Sequence, residues 1–330
     1  MQAGADVKAE SVGGDRTVTI EQALAGARVA LGATSPSARL DAEILLSHVL
    51  GCGRARLHAY PGTGLDPDST QRFEILVERR RQGEPIAYLT ERREFWSLDL
   101  RVTPDTLIPR PETEHLVEAV LAAVPRGEAA RIADIGTGSG AVALALARER
   151  PRALVLGSDL SPAAAGVARG NAARLGIGNV SFIVSNAGAA LAAGSWSVIV
   201  SNPPYVAAGD PHLATGDVRF EPREALVAGP RGLDMLETLA REAPTRLVPG
   251  GWLMLEHGGD QGGAVRALLR RAGFASIETR RDLAGHERMT RGRRPSAGGD
   301  SGRTRPRAAL QSGRPPDAIG PSAERDGTDR

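Results

Sequence analysis

Asn202-Pro203-Pro204-Tyr205 follows a strand-like run, Trp196-Ser-Val-Ile-Val-Ser201, and its composition is unusual for a connecting loop. Consecutive prolines donate no backbone hydrogen bonds and hold φ near about −65°, so the carbonyls around them point in fixed directions. Asn202 adds a side-chain carbonyl, Pro203 a backbone carbonyl and Tyr205 a flat apolar face. Such a rack of acceptors suits the gripping of a planar NH2 group. The ordinary alternative is a Pro-Pro turn that closes the strand, and the tetrapeptide alone does not choose between the two.

A second chemical feature lies upstream. Arg131-Ile-Ala-Asp-Ile135 runs into Gly136-Thr137-Gly138-Ser139-Gly140 and then into the helical Ala141-Val-Ala-Leu-Ala-Leu-Ala147. Glycines at a strand-to-helix turn let a ligand approach the backbone, and the helix N-terminus offers free N–H groups to a carboxylate or phosphate. The spacing is G-x-G-x-G rather than the G-x-G-x-x-G of dinucleotide folds. Asp159 stands 23 residues beyond Gly136, at the end of the next strand, where a carboxylate accepts both ribose hydroxyls.

Nicotinamide dinucleotide and S-adenosylmethionine both satisfy that arrangement. The loop after the fourth strand faces the same crevice, and that loop is Asn202-Pro203-Pro204-Tyr205. An amide-gripping rack beside an adenosine site selects methyl transfer to a planar nitrogen. A carboxamide or amino-adenine nitrogen is a poor nucleophile because its lone pair is delocalised. Acceptance of both N–H hydrogens by Asn202 and Pro203 orients it and favours the positive charge that develops during attack. Alignment with a sulfonium methyl supplies the rest, and no general base is required beforehand.

These loops need a scaffold. Strands are expected at 131–135, 153–158, 180–184, 196–201, 251–256, 275–281 and 287–292, with helices near 113–123, 140–149, 162–175, 232–247 and 261–272. The alternation predicts a seven-stranded, mainly parallel α/β sheet with helices on both faces. Upstream, Thr19-Ile-Glu-Gln22 has capping-box spacing ahead of Leu24, Ala27 and Leu31. Ser35-Pro36 opens a second helix with Leu40, Ile44, Leu45 and Val49 as its apolar stripe, and Asp66-Pro67 opens a third that runs to Arg79-Arg80-Arg81. Those three arginines read as cations favoured by the helix dipole more than as a nucleic-acid patch. Residues 86–108 read as extended chain around Phe95-Trp96-Ser97-Leu98.

The expected division is a polar leader over 1–16, a small helical substrate-recognition domain over 17–84, a hairpin linker over 85–111, the sheet domain over 112–294 and a disordered tail over 295–330. Charge is nearly balanced, 41 basic against 39 acidic residues, so no global field argues for nucleic acid or a membrane surface. A single cysteine, Cys52, excludes an internal disulfide and fits the cytoplasm. No signal peptide and no spanning segment is evident. His48, His58, His115, His212 and His286 have no metal-ligand spacing, so no metal is expected. His257, after Leu255-Glu256, reads as a hydrogen-bonded structural histidine.

At this point the residues resemble the N5-glutamine methyltransferases that modify peptide chain release factors, the HemK/PrmC type. The likeness covers roughly 20–292 and rests on Pro85-Ile-Ala-Tyr88, Arg93-Glu-Phe95, Leu107-Ile-Pro-Arg-Pro-Glu-Thr-Glu114 and Asp134-Ile-Gly-Thr-Gly-Ser-Gly140. It continues through Ser201-Asn-Pro-Pro-Tyr205, Gly216-Asp-Val-Arg-Phe-Glu-Pro222, Pro249-Gly-Gly-Trp252, Leu255-Glu-His-Gly258 and Arg281-Asp-Leu283. The resemblance implies a class I S-adenosylmethionine-dependent methyltransferase sheet behind a helical domain that helps hold the release factor, with the glutamine of its Gly-Gly-Gln loop as substrate. It further implies that Gly136, Thr137, Gly138, Ser139 and Gly140 line the methionine part of the cofactor and Asp159 its ribose. Asn202, Pro203, Pro204 and Tyr205 would hold the glutamine amide, and Arg110, Pro111 and Glu112 would lie near the cofactor. Glu221-Pro222 would border the substrate channel.

Two positions depart from the family pattern. Asn186-Ala187 stands where Asp-Trp is common, keeping a hydrogen-bonding side chain for the adenine amino group while removing a stacking face worth about 1 kcal/mol. Glu91 replaces a usual glycine near the hairpin. The competing readings are an amino-adenine nucleic-acid methyltransferase, which would use the same rack but lacks here a target-recognition domain and a basic stripe, and a non-catalytic binding protein that retains the fold. A nicotinamide oxidoreductase is disfavoured by the glycine spacing.

Overall fold

The computed structural model describes residues 17–296; the expected leader and the expected tail beyond Ser296 lie outside the described residues. Helix α1, Ile20–Leu31, begins with the capping box: Thr19 accepts from the Gln22 N–H at 3.3 Å, and Gln22 Oε1 accepts from the Thr19 N–H at 3.0 Å. Helix α2, Ala38–Leu50, starts two residues later than Ser35-Pro36 suggests. Ser35 and Ser37 instead donate their hydroxyls to the two oxygens of Asp41 at 2.7 and 2.8 Å, which fixes the chain's entry into the first turn. The buried face of α2 is Ala42, Leu45 and Leu46, whereas Leu40, expected inside, is 42% exposed.

A short helix the sequence reading misses, α3 over Arg54–Ala59, precedes α4, Pro67–Arg81, in which Asp66 caps the Ser69 N–H at 2.9 Å. Each arginine at the end of α4 meets an acid: Arg79 with Glu84, Arg80 with Asp41 and Asp217, Arg81 with Glu78. Ile86–Thr90 then form α5 rather than extended chain. Five residues are too few to show helical periodicity, and the punctuation is Pro85 at the start and Glu91 at φ 53° at the end.

The hairpin pairs β1, Arg92–Phe95, with β2, Leu98–Arg101, across a two-residue turn in which Trp96 and Ser97 both have positive φ. That is the twist-matched hairpin turn made without its usual Asn-Gly. The Trp96 backbone N–H donates to Glu114 at 3.1 Å and its indole to Glu149 at 3.2 Å, so the tip is held down on the sheet domain.

A 3₁₀ turn, Pro111–Thr113, leads into α6, Glu114–Ala123, and then into the sheet domain: β3 Arg131–Ile135, α7 Ala141–Glu149, β4 Leu154–Asp159, α8 Pro162–Leu175, β5 Val180–Val184, β6 Trp196–Ser201, α9 Asp234–Arg246, β7 Leu247–Glu256, α10 Gly262–Arg271, β8 Ala275–Arg281 and β9 Glu287–Arg293. The strand order is β5-β4-β3-β6-β7-β9-β8, with β9 antiparallel to both neighbours and the other pairs parallel. Hydrophobic side chains fill both faces: Leu116, Val120 and Leu144 pack on one with Ile132 and Val198, and Leu236, Leu239 and Val265 on the other with Ile199 and Leu253. Strand order reverses between β3 and β6, and such a switch point opens a ligand crevice at the carboxyl ends of the strands.

One further segment matters for the site. The chain between Val206 and Val227, which pair with each other in an isolated bridge, forms a strap. Three contacts pin it: Asp217 to Arg80 of α4 at 3.0 Å, Arg219 to the carbonyl of Gln82, and Glu221 to Arg110 at 2.6 Å.

Candidate active site

The glycine loop sits at the switch point. Gly138, at φ 55°, donates its N–H to Asp159 Oδ2 at 2.8 Å, and a Cβ built there would meet nothing within 4 Å, so the loop's outer face is open to a ligand. Gly140 lacks a side chain for a different reason: a Cβ would come within 3.1–3.2 Å of Leu144, Ala168 and Phe182. Thr137 turns inward, donating to Asp134 Oδ2 at 2.7 Å, and the Ala143 N–H reaches the same oxygen at 3.2 Å. Burial pushes the Asp134 carboxyl up to about 7, against the pull of those two hydrogen bonds. Ser139 is buried and its carbonyl accepts from Asn171 at 2.9 Å.

A cavity of about 330 Å³, within the range of small-molecule sites, collects Gly136, Gly138, Asp159, Asn186, Ala187, Asn202, Pro203 and Pro204. Thr137, Ser139, Gly140 and Tyr205 do not line it; the first three support the loop from behind. Asp159 is half-buried, with Oδ2 taken by Gly138 and Oδ1 by the Ser161 N–H at 2.9 Å. A carboxylate oxygen accepts more than one hydrogen bond, so both remain open to ribose hydroxyls. Ala187 is buried at φ 45°, in the apolar cluster that holds Leu191 and Leu236.

On the other side of Asn202 and Pro203 lies a second cavity of about 220 Å³, lined by Arg110, Tyr205, Val206, His212, Leu213 and Leu226 among others. Leu107 and Ala225 also border both cavities. Asn202 donates its Nδ2 to Thr113 Oγ1 at 3.1 Å, which fixes the amide's orientation and leaves Oδ1 free as an acceptor. The Tyr205 hydroxyl donates to Glu256 Oε1 at 3.3 Å. Glu256 is 2% exposed, and burial pushes its carboxyl up to about 7, opposed by the Thr113 and Tyr205 hydroxyls. Burial also raises the Tyr205 phenol.

Arg110 lines the smaller cavity and not the larger one, and Pro111 and Glu112 line neither. Its guanidinium binds Glu221, whose carboxyl is raised by burial and held back by Arg110. Pro222 borders the larger cavity. His257 is fully buried, with Nδ1 on the Gly258 carbonyl at 2.9 Å and Nε2 on Thr290 at 2.8 Å, a structural histidine at the end of β7. Leu107, Thr113 and Glu256 were not singled out as site residues. For Glu256 a signal existed: a carboxylate ending the apolar run Trp252-Leu-Met-Leu255 is out of keeping with a buried strand.

Among the described residues, no group of three or more His, Cys, Asp or Glu side chains could hold a metal ion, and no helix is long and apolar enough to cross a membrane. The geometry offers two adjoining compartments, one suited to a nucleoside with an anionic or zwitterionic tail and one to a small polar side chain.

Comparison with known proteins narrows this further. Residues 22–90 match the family described as PrmC N-terminal domain, and residues 112–221 the one described as Methyltransferase small domain. The chain is 51% identical over 263 residues to the release factor glutamine methyltransferase of Xylella fastidiosa (strain Temecula1), covering 80% of this chain and 96% of that one. It is 50% identical over 282 residues to the enzyme of the same name from Vibrio cholerae, covering 84% and 97% of the two chains. The Salmonella typhimurium enzyme of that name is 53% identical over 259 residues, covering 78% and 93%. At this level of identity over most of both chains, the chain belongs to the release factor glutamine methyltransferase family.

Proposed function

We propose that this protein transfers a methyl group from S-adenosylmethionine to the side-chain amide nitrogen, N5, of the glutamine in the Gly-Gly-Gln motif of peptide chain release factors. The observation that carries the reading is the pair of cavities that share Asn202 and Pro203 in their linings, which supports a donor in one and an acceptor in the other. The residues present fit the cofactor: Gly136 and Gly138 offer backbone to its methionine part, Asp159 offers its carboxylate to the ribose, and Asn186 offers an amide to the adenine. Bound there, S-adenosylmethionine supplies an electrophilic methyl on a sulfonium.

The protein's share of the chemistry is positioning and electrostatics. Asn202 Oδ1, left free because Nδ2 is committed to Thr113, accepts one N–H of the glutamine amide. The Pro203 carbonyl accepts the other, and the Tyr205 ring gives the planar amide a face to rest on. Two acceptors aimed at one nitrogen stabilise the positive charge it gains in the transition state, and fixed alignment removes the entropic cost of encounter. The open groove of about 620 Å³ bordered by Ile44, His48, Ile86, Arg93 and Arg110 gives the release factor a face to rest against beside the acceptor cavity. A release factor substrate supports a cytoplasmic location.

The test is mass spectrometry of release factor after incubation with S-adenosylmethionine and the protein. The glutamine peptide gains one CH2; transfer to DNA with none to the factor overturns the reading in favour of amino-adenine chemistry. An Asn202→Ala variant loses transfer yet still binds cofactor by calorimetry, and sustained turnover by that variant contradicts the acceptor rack.

A further inference from the structure

Behind the acceptor rack lies a buried carboxyl that the chemistry above does not use. Glu256 closes β7 beneath Tyr205, its Oε1 accepting the Tyr205 hydroxyl at 3.3 Å and its Oε2 buried without a hydrogen-bond partner. Thr113 stands beside the same carboxyl and favours its ionised form. The Thr113 oxygen also accepts from Asn202 Nδ2 at 3.1 Å. A hydroxyl carries one proton, so an oxygen that accepts from Asn202 is free to direct that proton toward a carboxylate.

We propose that Glu256 is a positioning residue for the acceptor amide: as the common acceptor behind Tyr205 and Thr113 it fixes the direction of both hydroxyls, and through Thr113 it keeps Asn202 Oδ1 turned toward the acceptor cavity. The proposal rests on the glutamine-methylating reading of that cavity. A neutral group in place of the carboxylate presents its own N–H or O–H to Thr113 and turns the Thr113 proton toward Asn202. Asn202 then meets a donor where it needs an acceptor, and its amide flips, setting its NH2 against the NH2 of the substrate.

The groups that bear on Glu256 are Tyr205, which donates to it, Thr113, whose hydroxyl favours its ionised form, Glu112, which opposes its ionisation, and Arg288, which favours it while bound to Asp282 at 2.8 Å. The wild-type kcat therefore rises with pH through an acid limb near 7.

The test compares wild type with Glu256→Gln, Thr113→Val and Thr113→Ser on release factor, recording kcat and KM against pH together with melting temperature. Glu256→Gln lowers kcat by about ten- to a hundredfold, abolishes the acid limb, leaves cofactor affinity unchanged and melts at pH 8 no lower than wild type. Thr113→Val suffers a similar loss, and Thr113→Ser, which restores the hydroxyl, recovers most of it. A Gln variant with wild-type kcat and pH profile overturns the proposal, as does a Ser variant no better than Val. A Gln variant that loses activity because it melts well below wild type also overturns it, since that is a folding role. Wild type that is inert on release factor fails the functional reading itself; an active wild type matched by the Gln variant fails this inference alone.

Discussion

Ser201 donates its hydroxyl to the carbonyl of Ile135 at 2.6 Å, joining the ends of β6 and β3 where the strand order reverses. The glycine loop departs from Ile135 and the Asn-Pro-Pro-Tyr loop from Ser201, so this buried hydrogen bond reinforces, at the point of departure, the β3–β6 pairing that sets the two halves of the site against each other. Nearby, the Asn202 carbonyl lies 3.8 Å from where a Cβ on Gly136 would stand, which shows how closely the loops approach.

Ser201→Ala removes that tie, costing about 1 kcal/mol of stability. The larger effect falls on kcat, because donor and acceptor lose registration while each loop keeps its own contacts. Denaturant unfolding and steady-state kinetics together read both; a stability loss with unchanged kcat contradicts the registration role.

Asp159→Ala weakens cofactor binding by tenfold or more, roughly the loss of one charge-assisted hydrogen bond. The same change frees the Gly138 and Ser161 N–H groups that the carboxylate holds at 2.8 and 2.9 Å, so the loop also loosens. Isothermal calorimetry with S-adenosylmethionine measures the affinity, and an unchanged dissociation constant refutes the ribose assignment.

The buried carboxyl of Asp134 makes stability depend on pH. Its folded value of about 7 lies above the ordinary 3.8, so the folded chain holds a proton that the unfolded chain releases. Stability from this group is full below pH 3.8 and declines as pH rises toward 7, by at most about 4 kcal/mol at 1.4 kcal/mol per unit. Asp134→Asn keeps an oxygen for Thr137 and Ala143 without that decline. The melting temperature of the variant relative to wild type should climb between pH 5 and pH 8; a flat difference refutes it.

Glu91 holds φ at 53° at the end of α5, a left-handed conformation that costs a residue with a Cβ about 1 kcal/mol. Its pairing with Arg101 at 2.9 Å returns little, since both side chains are more than half exposed. Glu91→Gly is therefore expected to raise stability by about 0.5–1 kcal/mol in chemical denaturation. A lower midpoint means the ion pair outweighs the backbone strain.

The strands of the large sheet were legible because each is a short apolar run bounded by turn residues, and β3, β5, β6 and β8 begin and end where the pattern places them. The same reading misjudged the start of α2, where Asp41 gathers two serine hydroxyls and Pro36 stays outside the helix. It missed α3 and α5, each shorter than two turns. At the site, glycine and proline announced the two loops because those residues constrain the backbone locally. Thr113 gave no such sign, and Glu256 only the oddity of a carboxylate ending an apolar run: they meet Asn202 and Tyr205 across 89 and 51 residues of chain, and such partnerships exist only after folding.

The strap between Val206 and Val227 gives the helical bundle a mechanical hold on the pocket. Arg80 of α4 grips it at Asp217, while the strap's own His212, Leu213 and Val218 wall the acceptor cavity. Under the proposed function, a release factor leaning on the bundle would push, through Arg80 and Arg219, on the rim of the smaller cavity. Damage to α4, far from the transferred methyl, would be felt as a misshapen doorway rather than as a weaker handshake.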